Sequence, residues 1–246
     1  MLFKALPGIY APLRALAARI PSQCAACHAW PAQRVCSACV ARFSQPAARC
    51  RLCALRVPNG VDACGECLRR TPVLDACLAA VDYAYPWAGA LADFKFRGDP
   101  GWTHALAGLL RGAPGAGDAL DAADRVLPVP LSAERLRERG FNQSALLAAC
   151  LAGHRADAHT LLRLHHTEAQ SGLSRKERLR NLKGAFAVEP ARAPSLRGAR
   201  VVLVDDVMTT GATLEAAAAP LRQAGVAHIT GLVLARTQRG QAAPAA

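Results

Sequence analysis

From residue 77 onward, short apolar runs alternate with stretches whose apolar positions recur every three or four residues. The runs predict strands over 77–85, 125–129, 160–165, 200–204 and 228–235. The periodic stretches predict helices over 89–96, 103–111, 142–155 and 212–223, with Gly225 just past the last as a stop. Strands and helices in alternation predict an α/β domain, a mostly parallel sheet flanked by helices. Before residue 70 the texture is different, with few large apolar side chains and many cysteines, so a boundary is expected near 70–77. Ahead of that, Ile9, Leu13, Leu16 and Ile20 sit at helical spacing. The expected layout is an amphipathic helix in 1–22, a cysteine module over 23–72 and an α/β domain over 77–240, with a frayed tail.

Composition narrows this. At 246 residues, 52% hydrophobic and 20% charged, the chain is too apolar to be disordered. Aromatics are only 5%, so the core is expected to be built mostly from Ala, Leu and Val, which suits helices on a parallel sheet better than a β-sandwich. No apolar run reaches the roughly 18 residues of a membrane span. Pro7, Pro12, Arg14 and Arg19 break up the N-terminus, so no export signal is expected and the expected location is cytoplasmic. The formal charge of +12 raises the expectation of a polyanionic partner, nucleic acid or a phosphorylated ligand. Between residues 125 and 200, 14 Lys and Arg face 6 acids, so much of the excess lies in one tract of the α/β domain.

Ten cysteines make the N-terminal module legible. Eight form four C-x-x-C pairs: Cys24 with Cys27, Cys36 with Cys39, Cys50 with Cys53, and Cys64 with Cys67. Two thiolates two residues apart can grip one tetrahedral ion from a tight turn, so four pairs predict two structural zinc sites. A disulfide framework would need export, and a redox pair does not come four in a row. The pairs can be grouped sequentially, interleaved or nested. Loop-closure entropy favours the sequential grouping, Cys24, Cys27, Cys36 and Cys39 on one ion and Cys50, Cys53, Cys64 and Cys67 on the other. Four thiolates saturate zinc, so the sites hold a fold and do not catalyse. Cys77 and Cys150 read as buried small hydrophobes. Trp30, Trp87 and Trp102 are the available base-stacking residues, and each is expected to be packed.

The sharpest motif runs from Val201 to Thr213. An apolar strand ends in Asp205 and Asp206, followed by Val207, Met208, Thr209, Thr210, Gly211, Ala212 and Thr213 at the start of an Ala-rich helix. Open α/β sheets bind ligands at the carboxyl ends of their strands. Hydroxyls and consecutive N–H groups around a permissive glycine at a helix start make an anion cradle. Acids beside such a cradle suit a sugar phosphate, the carboxylates accepting from vicinal hydroxyls. The segment resembles the phosphoribosyl-pyrophosphate loop of type I phosphoribosyltransferases. That resemblance implies that Asp205 and Asp206 hold the ribose hydroxyls, that residues 207–213 hold the 5′-phosphate, and that magnesium accompanies the ligand.

Other segments extend the likeness. A strand at 126–129 feeds what reads as a cationic loop with Arg135, Arg139, Asn142 and Gln143, suited to a pyrophosphate leaving group; a solvated helix face is the competing reading. Further on stand Gln170, Gly172 and Arg175, in a polar stretch, 167–180, that corresponds to a mobile loop in related transferases. Four cysteine pairs, then Phe94-Lys95-Phe96-Arg97-Gly98-Asp99, then Arg139-Gly140-Phe141-Asn142-Gln143, then Gln170-Ser171-Gly172-Leu173, then the Asp-Asp loop together resemble the competence protein F (ComF) family over about 24–236. The resemblance implies a double zinc ribbon joined to a phosphoribosyltransferase-like domain, with a role in DNA uptake during natural competence. Two function classes follow: a protein that binds phosphoribosyl pyrophosphate, with or without transferase turnover, and a non-catalytic zinc-ribbon accessory that binds single-stranded DNA and partners a helicase. No residue pattern identifies an acceptor substrate.

Overall fold

The computed structural model describes residues 22–164, 181–182 and 184–238. The expected N-terminal helix and the 167–180 loop therefore fall almost entirely outside the described residues. The chain divides into two compact units, 1–42 and 43–246.

In the first unit, Ser22 bridges Ala32 in antiparallel fashion, and helix α1 (Ser37–Phe43) begins one residue after Cys36. In the second unit, helix α2 (Gly65–Arg69) begins one residue after Cys64. Next come β1 (Ala76–Asp82), α3 (Trp87–Phe96), α4 (Thr103–Arg111), α5 (Ala116–Asp121), β2 (Arg125–Pro128), α6 (Ala133–Arg139) and α7 (Gln143–Ala152). The chain then forms β3 (Leu161–Arg163), β4 (Phe186–Val188), β5 (Arg200–Met208), α8 (Ala212–Gln223) and β6 (His228–Arg236).

Among the described residues the main sheet has the order β1-β6-β5-β2, with every neighbouring pair parallel. The mostly parallel α/β architecture expected from the alternating pattern is what the structure shows. Strands β5 and β6 are central, which is why 201–204 and 229–235 read as unbroken apolar runs and are almost wholly buried. Helices α4 and α7 pack on each other, α4 also on β1 and β6, α7 on β2 and β5. Helix α8 packs on β5, β6 and β4, the last paired with β3 in a small antiparallel sheet.

The core on the α8 side includes Val201, Leu203, Ile229, Val233, Leu214, Ala217 and Leu221, and it continues into Cys50, Leu52, Cys53, Ala54 and Cys67. The second cysteine cluster thus shares one hydrophobic core with the sheet. The first unit is built around its own four cysteines.

Local signals explain several boundaries. Ser132 caps α6 by accepting from the Arg135 N–H, and Gly140, at φ 75°, ends it in a left-handed turn. The segment expected as a cationic loop after β2 is therefore a helix, because a serine cap and a glycine stop bracket it. Helix α5 and strand β4, each short, are additions that the periodicity did not signal. Cys77 is buried as expected, but Cys150 is exposed, its Sγ 3.4 Å from His104 Nδ1. Trp87 and Trp102 are buried, whereas Trp30 is 66% exposed, counter to the expectation that it packs.

Candidate functional site

The eight paired cysteines gather in the sequential grouping, with each set's sulfurs within 4.8 Å of one another. Zinc–thiolate bonds of about 2.3 Å in a tetrahedron place sulfurs roughly 3.8 Å apart. Cys27 Sγ lies 3.7 Å from Cys36 Sγ, and Cys53 Sγ 3.7 Å from Cys64 Sγ, so both sets fit that ion. The two sets also repeat one backbone design. The first cysteine of each accepts a backbone N–H from the third: Cys36 to Cys24 Sγ at 3.3 Å, Cys64 to Cys50 Sγ at 3.2 Å. The residue after the second cysteine, His28 or Ala54, takes positive φ and donates its N–H to the first cysteine's carbonyl at 2.8 Å. Burial works against a charge on Cys24, but the N–H groups of Cys36, Cys27 and Ala26 outweigh it and bring the thiol down to about 6. Burial and the three neighbouring thiols push Cys39 up to about 12. A thiolate acceptor surrounded by thiol donors is the protonation pattern that a dication displaces.

The second constellation lies at the carboxyl end of β5. Asp205 is half-buried and Asp206 buried, inside the strand's last turn of pairing with β6. Ser144, near the start of α7, donates to Asp205 Oδ1 at 3.1 Å, and the Asp206 N–H donates to the same oxygen at 2.9 Å. Lys95, near the end of α3, reaches Asp206 Oδ1 at 2.7 Å, with both side chains nearly buried. Burial pushes the Asp205 carboxyl up to about 7, the adjacent Asp206 charge adding to it and Lys95 opposing it. Above that value two carboxylates share the strand end with one ammonium between them, a site that gains by taking in hydroxyl donors or positive charge.

The loop that follows offers the donors an anion could use. Thr209 and Thr210 are half-buried, Thr210 Oγ1 accepts the Ala212 N–H at 3.4 Å, and Thr213 lies half-buried in the first turn of α8. Gly211 caps that helix at φ 81°, a left-handed conformation, and a Cβ there would sit 2.5 Å from Met208 Cε. The first N–H groups of a 12-residue helix and its dipole thus open beside the acids. Val207 belongs to β5, its N–H donating to Asp206 Oδ1 at 2.5 Å, and Met208 and Ala212 are buried structural neighbours.

The flanking residues divide. Arg139 lies 5.3 Å from the Phe96 ring centre, donates to Gln143 Oε1 at 3.4 Å, and feels the charges of Asp206 and Asp205. Arg135 acts electrostatically on both Arg139 and Arg163. Asn142 is spent on structure: its Oδ1 caps α7 through the Ser144 and Ala145 N–H groups, and its Nδ2 donates to the Val129 carbonyl. Gln143 Nε2 is buried and has no hydrogen-bond partner among the described residues, a donor left over beside Ser144. Gln170 and Arg175 lie outside the described residues.

Sequence reasoning missed Lys95, Ser144, Arg163, Tyr83 and Arg236. Lys95 had a signal, as the basic residue between two phenylalanines that the family likeness picks out; the rest are brought in by strand order. Burial holds the Tyr83 hydroxyl's proton more tightly and Asp206 adds to the effect. Arg163, over the Phe186 ring at 5.3 Å, has its guanidinium weakened by burial and by Arg135, with Asp205 opposing.

A family model described as "Phosphoribosyl transferase domain" matches residues 164–246. DNA utilization protein YhgH of Salmonella typhimurium is 35% identical over 213 residues, covering 82% of this chain and 90% of its own. Competence protein F of Haemophilus influenzae is 35% identical over 76% of this chain and 84% of its own. Competence protein ComFC of Bacillus subtilis is 33% identical over 84% of this chain and 86% of its own. Among solved structures, the allosteric regulatory enzyme of purine biosynthesis aligns at TM-score 0.37 and 18% identity, over 58% of this chain and 29% of that one. No helix among the described residues is long and apolar enough to cross a membrane. With two four-cysteine clusters, a parallel sheet of phosphoribosyltransferase type and relatives matched over most of their length, the chain belongs to the competence protein F (ComF) family.

Proposed function

We propose that this protein binds phosphoribosyl pyrophosphate or a closely related 5-phosphorylated ribose at the end of β5, and that it serves in handling DNA during natural competence. The observation that carries the reading is the succession, in space, of Asp205 and Asp206, the 209–213 loop and the start of α8. Asp205 and Asp206 accept from the ribose 2′ and 3′ hydroxyls, and the threonines and N–H groups of the loop hold the 5′-phosphate. Arg135, Arg139 and Gln143, whose Nε2 has no hydrogen-bond partner among the described residues, are assigned to the pyrophosphate side. Lys95 already neutralises one oxygen of Asp206, which suits that carboxylate to accepting hydroxyl hydrogen bonds. Magnesium fits the oxygen-rich donor set that a bound pyrophosphate would complete, and it supplies charge neutralisation there. Gln170 and Arg175 are assigned to the same side by family likeness alone.

Calorimetry with phosphoribosyl pyrophosphate, with and without magnesium, tests the reading. Saturable, magnesium-dependent binding that Asp205→Asn and Asp206→Asn abolish is expected; unchanged affinity in both variants refutes it.

A second reading is favoured by the exposed Trp30 and by relatives named for DNA utilization and competence. Here the chain is a non-catalytic accessory on the cytoplasmic side that binds single-stranded DNA and partners a helicase, with zinc holding the module that presents Trp30. An anisotropy titration on single-stranded DNA should then show affinity that falls steeply with salt and weakens in Trp30→Ala. No binding at low salt removes this reading.

A further inference from the structure

The second cysteine cluster and the phosphate loop meet on one buried side chain. Arg236, the last residue of β6, is 4% exposed. Its Nε donates to the carbonyl of Cys53 at 2.8 Å. Its Nη1 donates to the carbonyls of Met208 at 3.0 Å and Thr237 at 2.7 Å, and also to that of Thr209. A guanidinium is costly to bury, and here carbonyl dipoles from two different segments hold it. One segment is the cysteine turn at 50–54; the other is the entry to the anion loop.

Additional contacts fasten the same two segments. Cys77 Sγ lies 3.5 Å from Met208 Sδ, and the Thr237 N–H donates to Met208 O at 3.1 Å. Asp82, at the end of β1, takes ion pairs from Arg49 at 2.8 Å and Arg56 at 2.5 Å, plus a hydrogen bond from Gln238 at 2.8 Å. The segment that carries Cys50 and Cys53 therefore runs alongside β1, from the Cys77 N–H, which donates to the Arg51 carbonyl at 2.7 Å, to Asp82, and it meets the carboxyl end of β6 at Arg236. Within the turn the Cys53 and Ala54 N–H groups donate to the Cys50 carbonyl at 3.4 and 2.8 Å, the Cys50 N–H donates to the Leu55 carbonyl at 2.7 Å, and Arg49 donates to the Ala54 carbonyl at 3.1 Å. The Cys53 carbonyl belongs to the same residue as one of the four sulfurs, so an ion gripping them would bear directly on its position.

We propose that Arg236 is a positioning residue that couples the two sites, so that metal held by Cys50, Cys53, Cys64 and Cys67 and ribose phosphate held at the 209–213 loop each strengthen the binding of the other. The inference rests on the ribose-phosphate reading above. Its physical basis is reciprocity: if the ordered cysteine turn fixes Arg236, and Arg236 fixes the Met208 and Thr209 carbonyls, then ordering the loop must stabilise the turn by the same free energy.

The test follows zinc release from the full-length, zinc-loaded chain to a chromogenic chelator, with and without phosphoribosyl pyrophosphate in excess magnesium. The magnesium keeps the free ligand from competing for zinc. In the wild type, ligand should slow one release phase about fivefold or more. In Arg236→Lys, which keeps the charge but loses the fork, the ligand effect should fall below about twofold while both zinc ions are retained. Ligand that binds by calorimetry yet leaves zinc release unchanged overturns the coupling and spares the ribose-phosphate reading. Ligand that does not bind overturns both. Full coupling in Arg236→Lys removes the role of Arg236. The wild-type comparison decides the coupling even if that variant does not fold.

Discussion

The replacement Asp205→Asn tests the electrostatics of the strand end apart from any ligand. In the folded chain the Asp205 carboxyl is pushed up to about 7 from 3.8, first by burial and then by the neighbouring Asp206 charge. The folded state then holds the Asp205 proton more tightly than the unfolded state does. Stability from this group is whole below pH 3.8, falls as pH rises through the window to about 7, and is flat above it. At about 1.4 kcal/mol per unit, the full shift sets a ceiling of roughly 4 kcal/mol. Asp205 is only half-buried, and Lys95 pulls the other way, so about 1–3 kcal/mol is the expected gain from the neutral isostere above pH 7. Asparagine retains an oxygen for the Ser144 and Asp206 donors, so no packing is lost. Urea unfolding of wild type and variant at pH 5 and pH 8 reads the effect as a difference between proteins, which cancels other titrating groups. The variant should be more stable at pH 8, by less at pH 5, while losing the ribose phosphate. A variant that is less stable at pH 8, or shows the same difference at both pH values, refutes the reasoning.

Three further outcomes are expected. Lys95→Met leaves Asp206 buried without its ammonium and should cost about 2–4 kcal/mol in urea unfolding, against the 0–1 typical of an exposed pair. Gly211→Ala forces a Cβ into a left-handed position against Met208 and should cost about 1–2 kcal/mol while weakening phosphate binding in calorimetry; an unchanged affinity would detach Gly211 from the ligand site. Elemental analysis should find two zinc ions per chain, and exhaustive chelation should lower the melting temperature of the sheet domain, because the second cluster lies in its core; a melting temperature that chelation leaves untouched would argue against that shared core.

The legible parts of this protein were those where function demands local spacing. Two thiolates separated by two residues, and two acids followed by a Thr-Thr-Gly-x-Thr turn, are neighbours in the chain, because a single turn can bring each group to one point. Ser144 meets Asp205 across 61 positions, and Arg236 meets Cys53 across 183. The first depends on α7 packing against β5, and the second on the 50–54 turn reaching the carboxyl end of β6. Asn142 shows the opposite limit, since its place in a motif did not reveal that both ends of its side chain are taken by the backbone. The sequence by itself determined the metal-binding chemistry, the alternation of strands and helices, and the acid-and-threonine loop, since each is written in residues a few positions apart. Only the tertiary structure decided how the cysteines group, which cation meets Asp206, and that the second cluster shares the sheet's core, because those follow from strand order and packing between distant segments.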